Sequence, residues 1–511
     1  MKETCLVGID IGTTSSKGVL VTVDGRILAE CSTEHGVNRP YPGWAEHDGD
    51  KVWWEEFVWV CRTLLDESGV EPGQVAGVGC SALYPNVLPV DEDGSPLRPA
   101  ILYGIDTRAV DEIDLLNQTL GREYGLKVSG NQISSQSVAP KILWLRRHEP
   151  DVFARSAKFL TATSYIVFRL TGSYVIDHNS ASLGGLPYNV DEQTWDRRTC
   201  DVCGISVGQL PELLWSNEIS GYVTVDASRE TGLLPGTPVT AGSGDFGAEM
   251  LSVGAYRDHQ AVISYGTTFS LAVCSDKPVA DERLLLSRTA IPGTFIIGGG
   301  MATGAALTKW FRDNFGQVES DIERMLDINA YQLLSEGART VPAGSDGLIV
   351  LPYFAGERSP IFDPNARGVL IGLTLSHTRW HVYRALLEGV AYGIRHLQES
   401  MQDRGITVQD VIAVGGGTLS DVWTQIVSDV TQREQRVLSC APGSSLGAAF
   451  LAGLAVDAID SPSVIEDWLE IDRVVRPNPE HRSMYDECYR IYRRVYEACS
   501  EEMHALALLN G

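Results

Sequence analysis

Four stretches carry residues whose types and spacing could do chemistry. The first is GIDIGTTSSKG, Gly8 to Gly18, where Asp10 ends an apolar run and Gly12, Thr13 and Thr14 interrupt it before Ser15 and Lys17. A turn of this composition offers several backbone N–H groups and hydroxyls to a phosphate. An Asp closing a buried strand suits a hydrated magnesium ion, which keeps most of its waters and takes one or two carboxylates. A hairpin with a solvated Asp fits the same residues, and both readings stay open on this stretch alone. The second is AGSGDFGAEM, in which Asp245 sits among small residues and is placed to take a proton from a substrate hydroxyl. Its G-x-G-x-x-G at Gly242, Gly244 and Gly247 invites a dinucleotide reading, but no carboxylate lies between Asp258 and Asp276, where a ribose-binding acid belongs.

The third stretch, AVISYGTTFSLAV, repeats the strand, Gly-Thr-Thr, strand order around Gly266, Thr267 and Thr268. The fourth is VIAVGGGTLSDVW, where Gly415, Gly416 and Gly417 separate an apolar run from an amphipathic one. Glycines there let a flat ring or a phosphate approach the backbone, or serve close helix–strand packing. No GKS or GKT occurs, so there is no Walker A loop. His377 and His381 have zinc-like spacing, yet Thr378 stands where a metalloprotease needs Glu, so they read as a helix start. A lone Cys200-x-x-Cys203 is weak evidence for a metal, and free thiols in a reducing cytoplasm are expected.

The elements that position these residues alternate between strand and helix patterns, which indicates an α/β architecture. CLVGIDI and KGVLVTV read as adjacent strands, with a third after Asp24-Gly25, then a helix through Val52, Phe57, Val60 and Leu64, and a buried strand at VAGVGCSA. Residues 380–404 read as a helix stopped near Gly405, and the tyrosines at 485, 489, 492 and 496 mark a packing stripe on a C-terminal helix. LGAAFLAGLAV is too short to span a membrane and reads as a buried helix. No secretory signal is read at the N-terminus. At 511 residues, two to four domains are expected. The net charge of −25, from 41 Lys+Arg against 66 Asp+Glu, argues against nucleic acid as a partner.

Together these pieces resemble the FGGY family of carbohydrate kinases over most of the chain. The segments PGWAEHDGDKVWW, PLRPAILYGIDTRA, PKILWLRRHEP, FRLTGSYVIDHNSAS, GERSPIFDPNARG and GVLIGLTLSHTRWHVYRALLEG carry the resemblance. It implies two duplicated actin-like (ribonuclease H-like) domains with a nucleotide cleft between them. The expected divisions are residues 1–245 for sugar and first phosphate loop, 246–456 for ATP, and 457–511 as a helical extension. By resemblance, Gly12, Thr13, Thr14, Ser15 and Lys17 form the first phosphate loop and Gly266, Thr267 and Thr268 the second. Gly304, Thr308, Gly415, Gly416, Gly417 and Ser420 match the nucleoside pocket, Asp10 the magnesium-associated carboxylate and Asp245 the base. ATP and Mg2+ are implied, with a small sugar as partner, a possible homodimer, and neither nucleic acid nor membrane. D-xylulose is the default sugar; gluconate, ribulose or another polyol is the alternative, and a chaperone- or actin-like ATPase is the competing class. The family's substrate motif is altered here to SALYPN, so Tyr84, Asn86, Asp106 and Arg108 are the residues expected to serve the sugar hydroxyls.

Overall fold

The computed structural model describes residues 3–439 and 443–509. The chain divides into two compact units, each assembled from three segments. The first comprises Met1–Tyr256, Asp276–Ile296 and Pro442–Leu469; the second comprises Arg257–Ser275, Ile297–Ala441 and Glu470–Gly511.

The first unit is built on strands β1 (Cys5–Ile11), β2 (Ser15–Thr22), β3 (Ile27–Glu34), β4 (Val75–Ala82), β5 (Ile219–Tyr222), β6 (Pro238–Thr240) and β7 (Ser243–Gly244). Their order is β5-β6-β4-β1-β2-β3, with β7 also on β4. β1 and β2 form an antiparallel hairpin, and β1 pairs in parallel with β4. Alternation in β1 sends Val7, Ile9 and Ile11 into one core, which leaves Asp10 on the other side. Helix Glu55–Ser68 packs on the hairpin, and a Cβ at Gly18 would lie 2.3 Å from Val60. Helix Gly443–Ala455 approaches the sheet closer still: a Cβ on Gly8 would lie 2.0 Å from the Ser445 carbonyl oxygen, and one on Gly79 would lie 1.9 Å from that of Ala448. LGAAFLAGLAV is thus a buried helix, its small residues allowing backbone to touch backbone.

The second unit repeats the plan with β8 (Gln260–Tyr265), β9 (Phe269–Ser275), β10 (Phe295–Met301), β11 (Asp410–Val414), β12 (Gln435–Leu438) and β13 (Ile471–Val475), in the order β10-β9-β8-β11-β12-β13. Here too the first strand is antiparallel to its hairpin partner and parallel to a later strand, β11. The expected helix near 380–404 is Arg379–Gln402, and Gly405 beyond it has a φ of +79°. His381 completes a capping box with Thr378, so the histidine pair starts this helix. Helix Arg482–Leu509 buries Tyr485, Tyr489 and Tyr492. The Tyr485 hydroxyl accepts from Arg384 at 2.9 Å, and those of Tyr353 and Tyr492 meet at 2.7 Å, so the tyrosine stripe is packing. Cys200 and Cys203 are buried free thiols pushed up to about 12 by burial, which makes them poor nucleophiles and metal ligands.

Candidate active site

The first Gly-Thr-Thr segment is the turn of the β1–β2 hairpin. The Gly12 N–H donates to the Ser15 carbonyl at 2.9 Å and closes it, while Thr14 and Lys17 stand exposed. Asp10 lies opposite Lys17 in one ladder and opposite Ser81 in the other. The Ser81 hydroxyl donates to Asp10 at 2.7 Å, and Ser81 in turn is level with Ser243 on β7. Thr13 Oγ1 is 3.1 Å from the Tyr103 hydroxyl.

Asp245 follows β7 directly and opens helix Asp245–Ser252. Its Oδ1 accepts from the adjacent Phe246 N–H, at 2.8 Å. Glycine is required at Gly247 because a Cβ there would lie 2.3 Å from Asn179 Oδ1. Burial, then the charges of Asp10 and Glu249, push the Asp245 carboxyl up to about 8. Asp10 is raised as well, by burial, against the Ser81 hydrogen bond and the Lys17 charge. Glu249 is raised by burial and by Asp10, with Lys17 opposing. Asp10 thus bears on both Asp245 and Glu249, and Lys17 on Asp10 and Glu249. Sequence reasoning missed Glu249, whose signal is its position one helical turn after Asp245.

This donor set fits a hydrated magnesium ion. No three metal-ligating side chains among the described residues converge as a chelating cage would. Carboxylates that raise one another's pKa are what a water-surrounded divalent cation relieves.

The residues expected at the sugar divide into two groups. Tyr84 is 8% exposed, and its hydroxyl abuts Gly184, where a Cβ would lie 2.3 Å away. Burial, then the Asp177 charge, raise its phenol. Asp177 caps helix His178–Leu183, accepting from the Ser180 N–H at 2.9 Å, and burial pushes it up to about 6. The cavity beside Tyr84 measures about 20 Å³, room for a water and not for a sugar.

Asn86, Asp106 and Arg108, the other residues expected at the sugar, are engaged inside the protein. Asn86 donates to the Leu83 carbonyl at 2.7 Å and accepts from the Ala162 N–H at 2.9 Å. Asp106 accepts from the Ala45 N–H at 2.6 Å and from the Arg108 guanidinium at 2.7 Å. Arg108 also pairs with Glu46 at 2.8 Å and lies 3.8 Å over the Trp44 ring, its side chain fully buried. A sugar would have to break this network to reach them, and buried partners left behind are costly.

In the second unit the remaining candidates converge on the turn between β8 and β9. The Gly266 carbonyl accepts from the Ala305 N–H at 2.9 Å, and the Thr267 carbonyl from the Gly304 N–H at 2.9 Å. Gly304 thereby docks the start of helix Ala305–Phe315 on the turn, while Thr267 and Thr268 stay exposed. Thr308 is buried, and its hydroxyl donates back to the Ala305 carbonyl at 2.8 Å. Gly415, at φ +95°, packs on the same turn, since its Cβ would lie 2.9 Å from the Tyr265 carbonyl oxygen. A Cβ on Gly417 would lie 2.9 Å from Trp423, whereas one on Gly416 would meet nothing within 4 Å. Ser420 caps helix Asp421–Thr431 and shares a 2.9 Å hydrogen bond with Ser335. One helix N-terminus and two glycines, Gly415 and Gly417, therefore pack against one turn, with Gly416 open beside them, an arrangement suited to an anionic, flat ligand.

Known proteins share this plan. Residues 5–252 match the N-terminal domain of the FGGY family of carbohydrate kinases, and residues 261–456 match its C-terminal domain. A gluconokinase of Bacillus subtilis is 30% identical over 470 residues, covering 91% of this chain and 90% of that protein. A xylulose kinase of Lactococcus lactis is 29% identical over 515 residues, covering 99% of each. The crystal structure of xylulose kinase from Rhodospirillum rubrum superposes with a TM-score of 0.90 at 32% identity, covering 98% of this chain and all of that one. With both halves matched and the duplicated α/β plan in place, the chain belongs to the FGGY family of carbohydrate kinases.

Proposed function

We propose that this kinase transfers the γ-phosphoryl group of ATP to a hydroxyl of a small neutral sugar, with a ketopentose such as D-xylulose as the first candidate. Relatives bear the names of both xylulose and gluconate kinases, so identity alone does not choose between them. One observation favours the neutral sugar. The charges acting on Asp245 are those of Asp10 and Glu249, both negative. A carboxylate-bearing acceptor would meet repulsion there, and a polyol would not.

In this reading Asp245 orients the acceptor hydroxyl and takes its proton as the oxygen attacks phosphorus. A base raised toward neutrality is matched to that task. Asp10 would hold magnesium through water, and Thr13, Thr14, Ser15 and Lys17 with the Gly12 backbone would receive phosphate oxygens. Magnesium, when bound, supplies charge neutralisation on the phosphates. Gly266, Thr267 and Thr268 receive phosphate from the second unit, while Gly304, Thr308, Gly415, Gly416, Gly417 and Ser420 shape the nucleoside pocket. In this reading residues 1–245 serve the sugar and carry the first phosphate loop, 246–456 bind ATP, and 457–511 form a helical extension.

ADP release measured against D-xylulose, D-ribulose, glycerol and D-gluconate tests the proposal. The neutral ketopentoses are expected to exceed gluconate in kcat/KM by at least about tenfold, or roughly 1.4 kcal/mol of discrimination. Gluconate as the best acceptor would overturn the substrate class, and acceptor-independent ATP hydrolysis would overturn the kinase mechanism.

A further inference from the structure

We infer that His35 is a positioning residue for the nucleotide, holding the first Gly-Thr-Thr turn from behind together with Glu56. This rests on the reading that the turn receives phosphate.

His35 and Glu56 reach the turn at alternate residues. The His35 N–H donates to the Thr14 carbonyl at 2.9 Å. Its Nε2 lies 3.2 Å from the Gly12 carbonyl oxygen, and a carbonyl only accepts, so the ring donates there. On the other side Nδ1 is 2.8 Å from Glu56 Oε2, the same oxygen that accepts from the Ser16 hydroxyl at 2.6 Å. The ring thus bridges the turn and the helix, with the Gly12 carbonyl at Nε2 and the Glu56 carboxyl group at Nδ1. The pair is shielded, with side chains 6% and 17% exposed.

Peptide geometry turns this clamp into an aiming device. In a trans peptide unit the C=O and the following N–H point in opposite directions. Drawing the Gly12 and Thr14 carbonyls toward His35 therefore turns the N–H groups of Thr13 and Ser15 away from it. The donors offered to a phosphate are thus set by what holds the carbonyls behind them, at no reorganisation cost when the ligand arrives.

The other ring against His35 is that of His47, which meets it edge-on with centroids 5.1 Å apart. Burial, then the His35 charge, push His47 down to about 4, so it stays neutral and accepts from Trp53 Nε1 at 3.2 Å. Helix Glu55–Ser68 supplies the carboxyl group and the His47 segment supplies a neutral wall.

The test is calorimetric titration with a magnesium-bound non-hydrolysable ATP analogue, alongside steady-state kinetics and melting temperature. His35→Ala is expected to weaken the analogue about tenfold and raise KM for ATP, while KM for the acceptor stays within about twofold. His35→Gln, whose amide can still donate to the Gly12 carbonyl, is expected to recover part of the loss. Glu56→Gln keeps an acceptor in place but replaces the carboxyl group that His35 and Ser16 share, and should fall between wild type and His35→Ala. A His35→Ala protein that melts like wild type and binds the analogue as tightly overturns the inference, as does an equal rise in both KM values. Should His35→Ala fail to fold, Glu56→Gln with wild-type affinity overturns it instead. If the wild type itself does not bind the analogue, the nucleotide reading fails first and this inference with it.

Discussion

Asp245 carries a conflict between function and stability that can be measured in two ways. Asp245→Asn is expected to lower kcat by about 10²–10⁴ while leaving binding of the ATP analogue nearly intact; a variant with wild-type turnover removes Asp245 as the base. The second measurement uses linkage. The carboxyl moves from 3.8 to about 8 on folding. Between those values the native protein holds a proton that the unfolded chain has released. This group's contribution to stability therefore falls as pH rises through that window. Asp245→Asn removes the effect, so its melting temperature should exceed that of the wild type at pH 8, with the gap closing toward pH 4. A gap that is absent or reversed at pH 8 contradicts the electrostatic account. In activity the sign is the opposite, because the base must be ionised. The acceptor kcat/KM should rise with pH through this group, and saturating magnesium should move that limb to lower pH by favouring the carboxylate.

Glycines decide the packing of the elements beneath these side chains. Helix Gly443–Ala455 lies so close to β1 and β4 that side chains at Gly8 and Gly79 would overlap its backbone, and a Cβ at Gly447 would lie 2.0 Å from the Ala248 carbonyl oxygen. The last contact ties this helix to the one that begins with Asp245, so the seam helps fix where Asp245 stands. Overpacking of this kind costs about 1–3 kcal/mol or more, since backbone cannot swing aside. Gly79→Ala is therefore expected to lower the urea midpoint strongly. Gly36→Ala, where a Cβ meets nothing within 4 Å, should stay within about 0.5 kcal/mol of wild type. Equal effects at the two sites would remove the seam as the cause.

For the whole molecule, each unit depends on a late segment of the chain. Pro442–Leu469 belongs to the first unit and Glu470–Gly511 to the second. A chain ending at Leu469 lacks β13 and the tyrosine-bearing helix, so calorimetry should show the second unit destabilised and the first unit's transition retained. A chain ending at Ala441 also lacks the helix that covers Leu6, Val19 and Val21, and should lose both transitions. Retention of a cooperative first-unit transition in the shorter chain would contradict this division. The net charge of −25 acts at the same scale. Anionic ATP is repelled before it is bound, so its kcat/KM should rise as salt is increased from low ionic strength toward about 0.15 M, where the Debye length is about 8 Å. A fall over that range would point to a locally positive approach instead.

What the sequence determined by itself is local in the chain. The two Gly-Thr-Thr turns, the hairpins around them, and an acid placed after a strand among small residues are written in neighbouring positions, so spacing alone exposes them. The buried helix at Gly443–Ala455 and the tyrosine stripe are periodic patterns and were equally open to reading. Tertiary structure alone decided what each polar side chain faces. Asp106 and Arg108 are met by Ala45, Trp44 and Glu46, some sixty residues earlier, which close around them. Asn86 is claimed by the Ala162 N–H, and Glu249 matters only because Asp10 is brought beside it. His35 carries no motif at all; its role arises because Gly12, Thr14 and Glu56 converge on one ring. Burial and charge depend on which distant residues fill the space around a group, and that information is not contained in its immediate neighbours.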